Sequence, residues 1–214
     1  MLKLNPELEN YILENSEKED DILQELYRQT HLKIYHPRMI SGHIQGKFLE
    51  MISKMISPEQ ILEIGTYTGY SAICLAKGLK PGGKLITIEK NDEIKDFAIS
   101  FFKKAGVNNR IDAKTGDALK IIPTLKGPFD LVFIDGEKTE YPEYFDLIID
   151  KIKPGGYILA DNVLWSGKVI EKKLSENDHS TKGIIEFNKK VRNNPDVDNV
   201  ILTIRDGLML IRKK

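Results

Sequence analysis

Ahead of Gln60, apolar residues recur at helical spacing; beyond it they bunch into short runs. Asn5–Pro6 places a capping residue before a proline at the first helical position. Ile22, Leu23 and Leu26 line one side of a second helix over about 19–31. The stretch "KIYHPRMISGH" breaks the pattern, because His36 precedes Pro37 and is pushed out of the helical region. A third helix, about 42–56, aligns Ile44, Phe48, Leu49 and Ile52. Then "ILEIG", "KLITIE", "RIDAKTG", "FDLVFID" and "GYILAD" alternate with helical segments. Buried-strand composition in that alternation predicts a mostly parallel α/β sheet with helices on both faces. After a helix near 180–193, "NVILTI-RDG-LMLIRK" reads as a terminal antiparallel hairpin around a tight Asp206–Gly207 turn. With no repeat, low-complexity tract or linker, one domain over 1–214 is expected.

Composition narrows the picture modestly. Hydrophobic residues make 41% and charged residues 30% of the chain, as in ordinary globular proteins. Lys+Arg and Asp+Glu tie at 32 each, so no global field draws a polyanion, although a local basic patch is still open. Cys74 has no partner for an internal disulfide, and the four histidines form no close pair, which points to a cytoplasmic, reducing compartment. No stretch approaches the roughly eighteen apolar residues of a membrane span. The first residues are too acidic for a secretory signal.

In open parallel sheets ligands bind beyond the carboxyl ends of the strands, so the residues where each run stops matter most. The first stops in "LEIGTYTGYS", whose Gly65 and Gly69 permit a tight turn and close backbone approach. The spacing is not the G-x-G-x-x-G of dinucleotide sites. Glu63 would repel a pyrophosphate but suits a cationic ammonium. The second run stops at Glu89, placed to accept hydrogen bonds from ribose hydroxyls. After the third, Asp117 and Ala118 suit an adenine pocket, though Asp117 equally reads as a helix cap. Each feature alone is also compatible with a plain strand-to-helix turn; together they imply a nucleoside ligand without phosphates.

The fourth run ends at Asp135, with Lys138 three residues on, and the fifth at Asp161–Asn162. If these strands are neighbours, two carboxylates and an amide converge as hard donors for Mg²⁺, Mn²⁺ or Ca²⁺. Such a set leaves about three of six octahedral positions for substrate and water. Lys138 is the candidate base, since desolvation and a nearby cation lower a lysine pKa. A helix cap at Asp135, a turn at Asp161–Asn162 and an exposed lysine are the plainer alternatives. Trp165, the single tryptophan, follows three residues after Asn162 and suits an apolar contact with a neighbouring helix or subunit.

These residues, in this order, resemble the cation-dependent class I O-methyltransferases that include caffeoyl-CoA and catechol O-methyltransferases. "RMISGHIQGKFL", "LEIGTYTGYSAICLA", "FIDGEKTEYPEY", "DNVLWSGKV" and "DGLMLIRK" carry the likeness, which covers nearly all of 37–214 and leaves 1–36 as a helical N-terminal segment. The resemblance implies a Rossmann-like sheet of seven strands and S-adenosylmethionine as methyl donor. Glu63, Gly65, Thr66 and Ser71 would hold its amino-acid portion, with Ser41 and Met39 closing over it. Glu89 would bind the ribose, Asp117 and Ala118 would flank the adenine, and Glu137 with Asp135 would approach the cofactor. Asp135, Asp161 and Asn162 would hold the metal ion, Lys138 would act as base, and Trp165 with Ser166 would meet the acceptor.

The implied acceptor is a phenolic or catechol small molecule, and the implied assembly a homodimer. Gly136 and Glu137 stand where the family more often has alanine and aspartate, Arg205 where glycine is usual, and Ser166 at a second glycine-like position. A hydroxylated uridine in tRNA is the alternative acceptor, requiring a basic rim that the balanced charge does not supply. A non-catalytic nucleotide-binding module is the alternative of another class, disfavoured because Lys138 and the carboxylates are all present.

Overall fold

The computed structural model describes residues 5–214. Helix α1 (Pro6–Glu14) starts at Asn5, whose side chain accepts from the Glu7 amide. Helix α2 (Asp21–Lys33) begins two residues later than its apolar spacing suggests, because Asp20 serves as its cap and accepts from the Ile22 amide. Next come α3 (His43–Ile56), β1 (Gln60–Ile64), α4 (Tyr70–Ala76) and β2 (Lys84–Glu89). They are followed by α5 (Lys95–Lys104), β3 (Ile111–Thr115), the short α6 (Ala118–Ile121) and β4 (Phe129–Ile134). The chain closes with α7 (Tyr141–Ile149), β5 (Ile152–Ala160), α8 (His179–Asn193), β6 (Val197–Leu202) and β7 (Leu208–Lys213).

The strands form one sheet in the order β3-β2-β1-β4-β5-β7-β6. The first five are parallel, whereas β7 runs antiparallel to both β5 and β6. Alternation along each strand builds two cores. Leu62 and Ile64 of β1 and Val132 and Ile134 of β4 face one cluster, with Phe145, Ile184 and Phe187. Ile61, Leu131 and Phe133 face the other, with Leu26, Leu49, Ile73 and Phe102. Central strands buried on both faces therefore read as continuous apolar runs, which is why they are conspicuous in the sequence.

The terminal hairpin differs from its sequence reading. The antiparallel pairing runs only to Leu202 opposite Leu208, so the connection is the five-residue loop 203–207. Its tight turn centres on Arg205–Asp206, closed by the Gly207 amide donating to Ile204 O at 2.9 Å, rather than on Asp206–Gly207. The loop is held outward by other contacts: Asp206 Oδ1 accepts from the Ser166 amide at 2.6 Å, and Arg205 reaches back to the start of α3.

Helix α1 buries no residue. The segment after it is tied down by Glu17, which meets Lys47 at 2.9 Å, and by Glu19, which accepts from the Tyr70 hydroxyl. No helix among the described residues is long and apolar enough to cross a membrane.

Close approach at one glycine sets the position of Lys138. A β-carbon on Gly183 of α8 would come within 2.5 Å of the Lys138 carbonyl oxygen and 2.9 Å of Thr139 Cα. Backbone cannot yield as a side-chain tip does, so α8 packs here only because the residue is glycine. Gly183→Ala is expected to destabilise the protein by about 1–3 kcal/mol. A thermal melt should show Tm lowered by roughly 2–4 °C for each kcal/mol, and an unchanged Tm would show that α8 does not need this contact.

Candidate active site

The carboxyl ends of β1, β2, β4 and β5 open onto two adjoining cavities. Hydrogen bonding continues one residue past the strands: the Asp135 amide donates to Ile64 O at 2.8 Å, and the Asp161 amide to Ile134 O at 2.9 Å. Since Ile134 pairs with Ala160, the next residues on the two strands, Asp135 and Asp161, stand side by side. Gly65, at φ +102, sits so close that a β-carbon would lie 2.3 Å from Asp135 O. Only glycine fits there, and it lines both cavities, as do Met39, Tyr67, Asp135 and Gly136.

The larger cavity, about 590 Å³, is lined by Met39, Gly65, Glu89, Asp117, Ala118, Asp135 and Glu137, seven of the residues the resemblance assigns to the cofactor. Glu89 is fixed by two backbone donors, Tyr67 N–H to Oε2 at 2.7 Å and Asn91 N–H to Oε1 at 2.9 Å. Its carboxylate still has lone pairs for two ribose hydroxyls. Asp117 combines both of its expected roles: Oδ1 caps α6 by accepting from Leu119 N–H at 3.0 Å, and the residue lines the cavity.

Glu63 behaves differently from the expectation that it faces a ligand directly. It lines neither cavity and is fully buried on the α4 side of β1, accepting from Thr87 Oγ1 at 2.5 Å. Its other oxygen, Oε1, is buried without a hydrogen-bond partner. Burial pushes the Glu63 carboxyl up to about 8, against the opposing hydroxyls of Ser71 and Thr87. The orphaned oxygen, with Ser71 and Thr66 between it and the smaller cavity, fits a site completed by a cationic group.

The smaller cavity, about 320 Å³, brings Ser41, Thr66, Ser71, Asp135, Lys138, Asp161, Asn162 and Trp165 together. Lys138 Nζ donates to Asp135 Oδ1 and to the Tyr141 hydroxyl, each at 2.8 Å. The Tyr141 hydroxyl in turn donates to the Asp161 carbonyl at 3.0 Å. Asp161 Oδ2 accepts from Gln45 Nε2 at 2.7 Å, and Oδ1 from the Asn162 amide at 2.8 Å. Burial raises the Asp161 pKa, and the neighbouring Asp135 charge raises it further. At Lys138, burial opposes the charge, but Asp135 and Tyr141 outweigh it and hold the ammonium above its ordinary pKa. In this arrangement Lys138 is itself the counterion of Asp135; the lowered lysine was expected beside a bound cation.

Among the described residues no three His, Cys, Asp or Glu side chains cluster as metal ligands. The donor set is instead two carboxylates and the amide of Asn162, a residue held at φ +59. Two mutually repelling carboxylates with one ammonium between them fit a hard divalent cation.

Trp165 lines this cavity, partly buried against the core, in a left-handed backbone at φ +46. Ser166 departs from its expected place: it is exposed and lines neither cavity, and its amide serves Asp206. Three residues without a role in the sequence reading matter here. Tyr141 lies three residues after Lys138, a spacing that places two residues on one helix face. Gln45 is separated from Asp161 by 116 positions, and no local signal marks it. Arg205 lines the cavity as well, where its departure from glycine was the only hint.

Comparison with known proteins bears on what the two cavities hold. The model of a family described as O-methyltransferase matches residues 13–214. A catechol O-methyltransferase of Niastella koreensis is 38% identical over 162 residues, covering 74% of this chain and 72% of its own. A caffeoyl-CoA O-methyltransferase of Petroselinum crispum is 33% identical, covering 96% and 90%. The crystal structure of the O-methyltransferase TomG from Streptomyces achromogenes, in complex with SAM, superposes with a TM-score of 0.89 at 32% identity, covering 97% of this chain and 96% of that one.

The raised Glu63 pKa has a consequence for stability. Because the folded state holds this proton up to about pH 8 and the unfolded state loses it near 4.5, folding is favoured at the acid end and weakens as pH rises through that window. Glu63→Gln should remove this contribution. Urea midpoints measured across the same window should fall less steeply with pH in the variant, and an equally steep fall would show that Glu63 titrates normally.

Proposed function

The chain belongs to the O-methyltransferase family and uses S-adenosylmethionine, and from that premise we propose that it methylates one hydroxyl of a catechol-type small molecule with the help of a divalent cation, Mg²⁺ by preference, held by Asp135, Asp161 and Asn162. The observation that carries this reading is the shared cavity of those three residues with Lys138, which adjoins the larger cavity along Gly65, Asp135 and Gly136. The nucleoside of the donor fits the larger cavity, with Glu89 at the ribose, Asp117 and Ala118 at the adenine and Glu137 at its edge. Thr66, Ser71 and Ser41, backed by buried Glu63, suit the amino-acid end, and Met39 covers the opening.

A divalent cation held by Asp135, Asp161 and Asn162 would supply positive charge that competes with Lys138 for Asp135 and would acidify an acceptor hydroxyl. The residues of this chain do the rest. Burial disfavours the Lys138 ammonium, so release from Asp135 leaves an amine able to take a proton at Nζ. The Tyr141 hydroxyl, fixed by its bond to Asp161 O, keeps that nitrogen aimed into the cavity. Trp165 gives the acceptor ring an apolar wall. As the acceptor oxygen bonds to the methyl carbon, the carbon–sulfur bond breaks, and the acceptor proton passes to Lys138. An anion meets a sulfonium cation, so charge is neutralised in the step, and positioning outweighs oxyanion stabilisation.

The same reading takes the protein to be a single-domain cytoplasmic homodimer acting on phenolic small molecules, consistent with the lone buried Cys74 and the catechol and caffeoyl-CoA names of the relatives.

Methyl transfer to caffeate-type catechols, assayed with and without chelator, is the direct test. Chelation and Asp161→Ala should each abolish most turnover. Lys138→Ala should lower kcat by about 10²–10⁴-fold, the usual contribution of a positioned base. Chelator-insensitive turnover removes the cation from the reaction, and full turnover by the lysine variant removes Lys138 as base.

A further inference from the structure

Arg205 occupies a backbone conformation, φ +49, that glycine adopts freely and arginine does not. What the substitution for glycine adds is a guanidinium lining the smaller cavity. Its Nη1 donates to the Ser41 carbonyl and, at 2.9 Å, to Gln45 Oε1. Both acceptors are neutral. Among the described residues no carboxylate forms an ion pair with Arg205, and its Nη2 and Nε make no hydrogen bond. The neighbouring Asp206 is turned to the Ser166 amide instead.

Asp161 lies beyond Gln45, whose amide accepts from Arg205 at one end and donates to Asp161 Oδ2 at the other. One amide thus holds the guanidinium by one edge and separates it from the carboxylate. A partly buried arginine keeps its full charge, and buried charges are ordinarily paired.

We propose that Arg205 determines acceptor specificity: its free guanidinium edge takes a carboxylate carried by the acceptor, so the acceptors are catechol-type acids rather than neutral catechols. The proposal rests on reading the smaller cavity as the acceptor site. A planar fork of N–H donors matches a carboxylate with two parallel hydrogen bonds. In this cavity of about 320 Å³, Thr66 and Ser71 are assigned to the amino-acid end of the donor, and the acceptor is assigned to the part lined by Trp165 and Arg205. Lys138 is engaged by Asp135 and Tyr141, and Arg38, the third cation of the lining, is exposed to solvent, so Arg205 is the part-buried cation with hydrogen-bonding capacity to spare.

Caffeate and its methyl ester differ in this one charge and serve as probes. Isothermal titration of the protein with each, in the presence of S-adenosylhomocysteine and magnesium, reads binding without turnover. Caffeate should bind about tenfold more tightly than the ester, as a charge-assisted pair warrants. Arg205→Gln should reduce that advantage to about twofold or less, and Arg205→Lys should keep part of it, since lysine retains the charge without the fork.

Equal affinities in the wild type, no binding of caffeate, or an advantage undiminished in Arg205→Gln overturns the proposal. If circular dichroism shows the glutamine variant misfolded, the wild-type pair and the lysine variant decide: an advantage as large in Arg205→Lys as in the wild type overturns the two-bond fork. Failure to methylate either probe, with the binding difference intact, removes the O-methylation reading and leaves the Arg205 assignment standing. Chelator-sensitive methylation with equal binding of both probes does the reverse.

Discussion

Parallel pairing of β4 with β5 sets Ile134 opposite Ala160, and the carboxylates of Asp135 and Asp161 must then share one rim. Like charges brought together and partly desolvated repel, which the raised Asp161 pKa expresses. The surroundings are arranged to offset this repulsion. Lys138 bonds Asp135, Gln45 and the Asn162 amide bond Asp161, and Tyr141 links the lysine to the Asp161 backbone. Remove the register, and neither the carboxylate pair nor the need for its counterion exists.

That constraint reaches outward into packing. Lys138 can stand beside Asp135 because Gly183 lets α8 lie against the turn that carries it. Asp135 can approach β1 because Gly65 has no side chain. Gln45 reaches Asp161 because α3 crosses the rim, and Arg205 holds Gln45 from the opposite side. The two cavities are therefore one construction: Gly65 and Asp135, in close approach, line both.

Much of this was legible in the chain itself. The central strands β1 and β4 were conspicuous because they are buried on both faces and read as apolar runs. Edge strand β3 and the half-exposed β2 and β5 were placed by their alternation with helices, and the polar residues at the strand ends mark the rim. Glu89, Asp117, Asp135, Asp161 and Asn162 were found in that way, and all five line one or both cavities. Glu63 was located, but its depth was not, because strand position says nothing of which face α4 covers. Ser166 was assigned by likeness to a glycine-like position, yet its amide is drawn to Asp206 and it stays outside the cavities. The terminal hairpin was foreseen as a pairing, while its five-residue loop was not, because Arg205 and Asp206 are held by partners far away in sequence.

The sequence by itself determined the strands, their helical crossovers and the carboxylates at their ends, because these follow from local periodicity and from residue chemistry at run boundaries. Only the tertiary structure decided which groups carry charge and what each one faces. The ammonium of Lys138, the neutralised and orphaned Glu63, and the amide of Gln45 set between Arg205 and Asp161 all depend on burial and on partners remote in the chain. Desolvation and Coulomb interactions are properties of positions in space, and no spacing along a sequence encodes them.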